Sequence, residues 1–293
     1  MKNIYTPKQY NKAMKLKKQG LGSLKISKIL KIKNRSVIEG WINKSRKPLS
    51  ISSINNPLSI INKINNIEKS SAELAYIVGL INGDGHLQIK KDKSAAVSFF
   101  SKHIEEIKNI DKLFIKLFSI RGHIYKDNNG YNYGYKLCFT SIYLAEYLLS
   151  IGIVEGKKIK QEYSIPNWIM KGDKKIKAAF LRGIFSAERF ITKSKQNKAI
   201  RYRAGITQYK DEKIKENCKK YLEQIKNLVE GFGISCSNVH YDGIKKRKDG
   251  GITQGFKFTF EKNGFDKFYR HIGFDNIHKN QRILEVLKEN KSF

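Results

Sequence analysis

Residues 73–293 carry one pattern twice, and this duplication limits the possible folds more than any other feature of the chain. ELAYIVGLINGDGHL lies over KAAFLRGIFSAERFI, so that Ala75 meets Ala179, Gly79 meets Gly183, Gly83 meets Ala187 and Asp84 meets Glu188, each pair 104 positions apart. Farther on, residues 134–153 lie over 255–274 at an offset of 121, which pairs Lys136 with Lys257, Phe139 with Phe260 and Gly152 with Gly273. The second copy is therefore 17 residues longer between the blocks. That length is expected in the polar stretches KSKQNKAIRYR and DGIKKRKDGGITQG, as surface loops. Hydrophobic periodicity predicts the same order in each copy. A helix (73–83; 174–187) leads to two strands, the second at 95–101 and 201–208. A long helix (103–118; 210–230), two more strands (121–126 and 134–140; 234–240 and 254–260) and a last helix follow. This is an α+β fold of two tandem αββαββα units, each with a four-stranded antiparallel sheet.

Small residues recur every four positions in the first helix of each copy, at 75, 79 and 83 and at 179, 183 and 187. On a helix this spacing forms one stripe without bulky side chains, along which two backbones can approach. Glycine costs a soluble helix about 1 kcal/mol relative to alanine, so the stripe predicts a close helix pair. Asp84 and Glu188 directly follow the last small residue of each stripe. A carboxylate at a helix C-terminus opposes the macrodipole, so paired acids there point to function rather than stability.

The 58 Lys+Arg outnumber 26 Asp+Glu, giving a net charge of +32, which predicts a polyanionic partner. Residues 1–72 hold 16 basic and 2 acidic side chains and residues 73–293 hold 42 and 24, so both parts are expected to bind phosphate. Three cysteines without a CxxC pair exclude a disulfide scaffold. No apolar run reaches the ~20 residues of a membrane span, and the start has no signal-peptide core. A cytoplasmic or nucleoid-associated protein is expected, with no membrane partner. GxxxxGK[ST] is absent, so no nucleotide cofactor is expected. The histidines lack HxxxH spacing.

Four regions follow: a helical domain at 1–50, a polar linker at 51–72, and repeats at 73–168 and 169–293. The first 50 residues read as three short helices with a basic third one, similar to a homeodomain-like helix-turn-helix. In that reading Arg35, Ser36 and Glu39 face the major groove, and Lys44, Arg46 and Lys47 meet phosphates. A small basic bundle without DNA is the alternative.

At the duplicated motif, IVGLINGDG (77–85) and LRGIFSAER (181–189), residues 73–293 resemble the LAGLIDADG homing endonucleases in their two-motif, single-chain form. The resemblance implies two repeats forming a pseudo-twofold saddle over double-stranded DNA, which the protein cuts as a monomer on both strands. It implies Mg²⁺, with Mn²⁺ as a substitute, held by Asp84 and Glu188 and by the backbone carbonyls of Gly83 and Ala187. Hard oxygen ligands suit such a cation, which lowers the pKa of bound water and neutralises phosphate charge. Lys136, Lys257 and Gln208 are weaker catalytic candidates; the counterpart of Gln208 is Ser101. Lys90, Lys91, Lys93, Lys193, Lys195, Arg201 and Arg203 flank the strands expected to read DNA. Arg189 replaces the glycine that closes the motif, and a cation there competes with metal for Glu188. An impaired DNA-binding regulator on the same scaffold, and an RNA-splicing maturase, are the alternative readings.

Overall fold

The computed structural model describes residues 5–43, 46, 48, 54–68, 70–92, 94–127, 134–187, 191–196, 199–261, 264–275 and 277–291. These divide into two compact units, Met1–Ile67 with Ile110–Gly122, and Glu68–Asn109 with His123–Phe293.

In the first unit, helices α1 (Pro7–Lys18), α2 (Ser23–Ile29) and α3 (Arg35–Asn43) pack around Ala13, Ile26, Ile32, Ile38, Trp41 and Ile42. Thr6 and Gln9 cap α1 reciprocally, Gln9 N donating to Thr6 Oγ1 (3.2 Å) and Thr6 N to Gln9 Oε1 (2.8 Å). Gly20 at φ +83° turns the chain out of α1, a conformation that costs glycine little. Tyr5 and Tyr10 set their edges on Trp41 at 5.5 and 5.6 Å. The segment expected to be a linker instead contains α4 (Pro57–Asn66). Asn56 accepts from Leu58 N (2.9 Å) and Pro57 opens the first turn, which start a helix where polarity alone suggested a loop. Asn55 anchors it, donating from N to Ser119 O (2.8 Å) and accepting at Oδ1 from Arg121 N (2.7 Å).

The duplicated part begins with α5 (Ala72–Asn82), β1 (His86–Ile89), β2 (Ala95–Ser101), α6 (Ile104–Phe118), β3 (His123–Asp127), β4 (Gly134–Thr140) and α7 (Ile142–Ser150). A 3₁₀ turn at Lys158–Lys160 and α8 (Asn167–Met170) lead into the second copy. There α9 (Lys174–Ala187), β5 (Ile191–Gln196), β6 (Ala199–Asp211), α10 (Lys215–Glu230), β7 (His240–Lys246), β8 (Ile252–Thr259) and α11 (Gly264–His271) repeat the order. Helix α12 (Ile277–Lys291) follows the repeat and was not anticipated. Both sheets are antiparallel with the same strand order, β1-β2-β4-β3 and β5-β6-β8-β7.

Alternation buries Val97, Phe99, Leu137 and Phe139 on one face of the first sheet, and Ala204, Ile206, Phe258 and Phe260 on one face of the second. The other faces carry Phe100, Lys136 and Tyr125 in one cross-strand row and Thr207, Lys257 and His240 in the equivalent row. The extra length of the second copy is strand rather than loop. β6 has 13 residues against 7 in β2, and β7 runs over 240–246 instead of 234–240. Both polar stretches also contain Ile, Tyr or Thr, residues that suit an extended hairpin.

Lys210 is 1% exposed on β6 and fastens the segment between the repeats. Its Nζ donates to Gln161 O (2.7 Å) and Asn217 Oδ1 (2.6 Å) and lies 3.6 Å from the centre of the Tyr163 ring. Burial lowers its pKa from 10.5 to about 8. The unfolded chain therefore holds this proton up to about pH 10.5 while the folded protein releases it near 8, so Lys210 adds stability as pH rises between those values. Wild type should gain about 3 kcal/mol relative to Lys210→Met across that window. Equal pH dependence of the two in denaturant titrations would contradict this account.

Candidate active site at the ends of the paired helices

The small-residue stripes meet. A β-carbon built on Gly79 would stand 3.0 Å from Ile184 N, and one on Gly183 would stand 2.8 Å from Leu80 N. One on Gly83 would strike the Ala187 side chain. The pairing of 79 with 183 and of 83 with 187 makes α5 and α9 parallel, with their C-terminal ends side by side. Leu74, Ala75, Ile77 and Val78 of α5 and Phe180, Leu181 and Phe185 of α9 are buried around the seam.

Asp84 follows α5 at this end. The residue keeps solvent access, yet the surrounding protein desolvates its carboxyl and raises its pKa above the ordinary range. Lys158 and Lys279 act in the opposite direction, favouring the charged form. Lys279 belongs to the second copy, so the ammonium groups of both copies lie within electrostatic reach of one carboxylate.

These lysines form the feature that motif reading missed. Lys158 Nζ donates to Ile81 O (2.6 Å), Asn82 O (3.0 Å) and Gly83 O at the end of α5. Lys279 Nζ donates to Phe185 O (3.2 Å) and Ser186 O at the end of α9. Ile81 and Asn82 are the 104-residue counterparts of Phe185 and Ser186. Lys158 and Lys279 are themselves 121 apart, the offset of the second aligned block, so extending that block by five residues would have found them. Each ammonium completes a helix C-terminus, where free carbonyls concentrate negative potential. Asn82 Nδ2 and Ser186 Oγ, at equivalent positions beside these ends, are buried without a hydrogen-bond partner among the described residues.

This donor set suits a hard divalent cation: an aspartate carboxylate, a neighbouring backbone carbonyl, and a location that already attracts positive charge. Among the described residues no three His, Cys, Asp or Glu side chains cluster. The described candidate ligands are the Asp84 carboxylate with the Gly83 carbonyl and, in the second copy, the Ala187 carbonyl. Glu188 and Arg189 lie outside the described residues.

The weaker candidates separate. Lys136 lies 5.6 Å from the Phe100 ring, and with Lys158 it lowers the pKa of His86 after burial. It therefore shares the electrostatic neighbourhood of the α5 end. Lys257 is held by Asp242 (2.6 Å), which also accepts from Tyr209 OH (2.5 Å). Gln208 donates through Nε2 to Tyr163 OH (2.9 Å), on the Lys210 network. Ser101 donates to Glu106 Oε2 (2.5 Å) before α6.

Lys90 and Lys91 are exposed at the β1–β2 turn, and Arg203 is exposed on β6. Lys193 and Lys195 fall on β5 and Arg201 on β6, with their side chains outside the described set; Lys44, Lys47 and Lys93 lie outside the described residues altogether. In the first unit Arg35 pairs with Glu39 (2.8 Å) and donates to Ser23 Oγ (3.1 Å), while Ser36 Oγ donates to Asn34 (2.6 Å). Arg46 is exposed after α3, its N donating to Gly40 O (2.9 Å). No described helix is long and apolar enough to cross a membrane.

No protein-family model matches the sequence. The chain spans a fifth or less of the length of the curated relatives it matches. It is 28% identical over 170 residues to the tRNA-splicing ligase RtcB of Pyrococcus abyssi, 55% of this chain and 18% of that protein. It is 30% identical over 238 residues to the DNA-directed RNA polymerase subunit Rpo1N of Methanocaldococcus jannaschii, 76% and 17% respectively. It is 26% identical over 219 residues to glutamine–fructose-6-phosphate aminotransferase of the same organism, 74% and 18%. Among solved structures it is similar to the homing endonuclease I-WcaI bound to its DNA recognition sequence, with a TM-score of 0.45 and 14% identity over 78% of this chain and 93% of that one. I-GzeII, a LAGLIDADG homing endonuclease in complex with its DNA target, gives 0.43 and 13% over 74% and 89%. The N-terminal LAGLIDADG domain of WhiA gives 0.33 and 14% over 78% and 89%. Two of these three solved proteins are homing endonucleases, and the third is a LAGLIDADG domain.

Proposed function

We propose that this chain is a LAGLIDADG-type, Mg²⁺-dependent endonuclease that cuts both strands of a specific duplex DNA as a monomer. The observation that carries this reading is the twofold repetition at the helix ends: two small-residue helices in register, each ending at a motif acid in the sequence, each capped by a lysine of the same repeat position. The curated relatives add a separate line of support. A ligase, a polymerase subunit and an aminotransferase share no chemistry, yet each resembles this chain over under a fifth of its length. An element inserted into unrelated proteins accounts for that, and a sequence-specific double-strand cutter is the activity that spreads such an element.

In this reading Asp84 and the Gly83 carbonyl hold one cation and Glu188 and the Ala187 carbonyl a second. Bound Mg²⁺ supplies an activated water and neutralises the scissile phosphate. Lys158 and Lys279 hold positive charge beside the place where phosphoryl charge builds up, and their anchoring on backbone carbonyls fixes that charge before DNA arrives. The outer sheet faces, with Lys136, Lys257 and the β1–β2 and β5–β6 hairpins, follow the duplex. Phosphate contacts set affinity there and alternate side chains read base edges.

Lys158→Met and Lys279→Met test the paired lysines. Each should reduce cleavage about 10²–10³-fold, while duplex affinity falls less than tenfold. Reactions scored separately for nicks and double-strand breaks should accumulate nicked product in each variant. Unchanged cleavage by both, with melting temperatures near wild type, would assign the lysines to helix capping alone.

The helical N-terminal unit is read as an added DNA-binding module. Removing residues 1–50 should leave a folded core that binds duplex more weakly, with a shallower salt dependence, each lost phosphate contact removing roughly 0.9 from the slope. Complete loss of duplex affinity by the folded core would overturn the sheet-face reading. Arg189 favours one competing function, a DNA-binding regulator without cleavage, because its guanidinium follows Glu188 directly in sequence.

A further inference from the structure

The opposite end of the α5–α9 pair holds a second site. Parallel packing brings both helix N-termini together, and beside them opens a groove of about 650 Å³. Its cationic lining is Lys174, Lys175 and Arg182 from α9 and Arg270 from α11, and His271 of α11 and Phe232 after α10 each supply a ring. Twelve residues of α5 and its exit separate Ala72, in the groove, from Asp84. At 1.5 Å per helical residue the groove lies roughly 16–20 Å from the candidate active site.

The chemistry of the groove is that of an anion site with an aromatic wall. Lys174 and Lys175 are exposed and make no ion pair among the described residues. Arg182 donates from Nε to Ile272 O (2.6 Å), which fixes its guanidinium while leaving the terminal nitrogens to donate elsewhere. Among the described residues Arg270 pairs with Asp266 at 2.9 Å. Glu73, in the first turn of α5, is the nearby acid in sequence. Two helix N-termini at the same end add partial positive charge. Phe232 is half-buried and lies 6.1 Å from the His271 ring at an interplanar angle of 32°, so two ring faces flank the cations.

We propose that this groove binds single-stranded nucleic acid, with phosphates on Lys174, Lys175 and Arg182 and one base against Phe232 and His271. Three features favour that ligand over a simple anion or an acidic peptide. The volume is in the range of sites for small organic ligands, well above what a lone phosphate fills. Cations interleaved with partly exposed rings are how proteins hold single strands, the rings taking base faces without regard to sequence. A carboxylate chain gains nothing from the rings. The proposal stands apart from the nuclease reading, because neither Asp84 nor the sheet faces contribute.

The test uses the full chain and fluorescein-labelled ten-nucleotide oligouridine and oligodeoxythymidine, with excess unlabelled duplex present to occupy the sheet faces. Lys174→Ala/Lys175→Ala and, separately, Phe232→Leu should each weaken single-strand binding about tenfold, with duplex affinity within about twofold of wild type. Phe232→Tyr keeps a stacking ring and should bind as wild type does, which separates stacking from loss of packing. A preference for oligouridine over oligodeoxythymidine identifies RNA as the better ligand, and equal binding identifies either strand; both support the proposal. Three results would overturn it: no loss in either the lysine or the Phe232→Leu variant, equal loss for duplex and single strand, or displacement of the oligonucleotide by polyglutamate or inorganic polyphosphate at the same charge concentration.

Discussion

Gly79→Ala should destabilise this protein, although alanine is the better helix former. In a helix free of contacts the exchange would gain about 1 kcal/mol. Here the added β-carbon meets the Phe180 carbonyl and Ile184 N of the facing helix, backbone atoms that cannot rotate away. Overpacking of this kind costs about 1–3 kcal/mol, and Gly183→Ala meets the equivalent backbone at Tyr76 and Leu80. Gly79→Leu forces the helices apart by most of a side chain, and the loss should exceed 3 kcal/mol, enough to prevent folding in a domain of ordinary stability. Leu58→Ala, at a position 70% exposed on α4, should stay within about 0.5 kcal/mol. Chemical denaturation of the four variants checks the sign. Stabilisation by Gly79→Ala would mean that the stripe is not the seam.

That seam was legible because glycine is costly in a helix and the small residues at intervals of four recur 104 positions later. The order of elements along each repeat was legible for a similar reason: matching Phe139 with Phe260 and Gly152 with Gly273 fixed the second half of each repeat. The hairpin lengths were not. KSKQNKAIRYR and DGIKKRKDGGITQG are polar enough to be loops, and only pairing such as Thr192 with Arg203 and Lys245 with Thr253 makes them strands. α4 was hidden in an Asn- and Ser-rich segment, where one asparagine cap and one proline outweigh poor helix propensity. Lys158 and Lys279 escaped for a different reason. Lysine is abundant here, and no local motif distinguishes these two; their meaning comes from carbonyls 75–94 residues away in sequence.

The account predicts that one carboxylate carries most of the chemistry. Asp84 has glycine on both sides in sequence, whereas Glu188 is followed directly by Arg189. Asp84→Asn keeps the shape and removes the charge that attracts a hard cation. It also removes a desolvated carboxylate whose raised pKa marks the ion as costly at this position in the absence of metal. Cleavage should fall by at least about 10³-fold, while duplex affinity holds or improves, since an anion beside the phosphates is gone. The direct measurement is cleavage of duplex DNA carrying the protein's own target, with Mg²⁺ or Mn²⁺, by wild type and Asp84→Asn under conditions where both bind. The account predicts metal-dependent double-strand breaks with wild type and none with the variant. Tight binding by wild type without cleavage in either metal, or undiminished cleavage by Asp84→Asn, would contradict it.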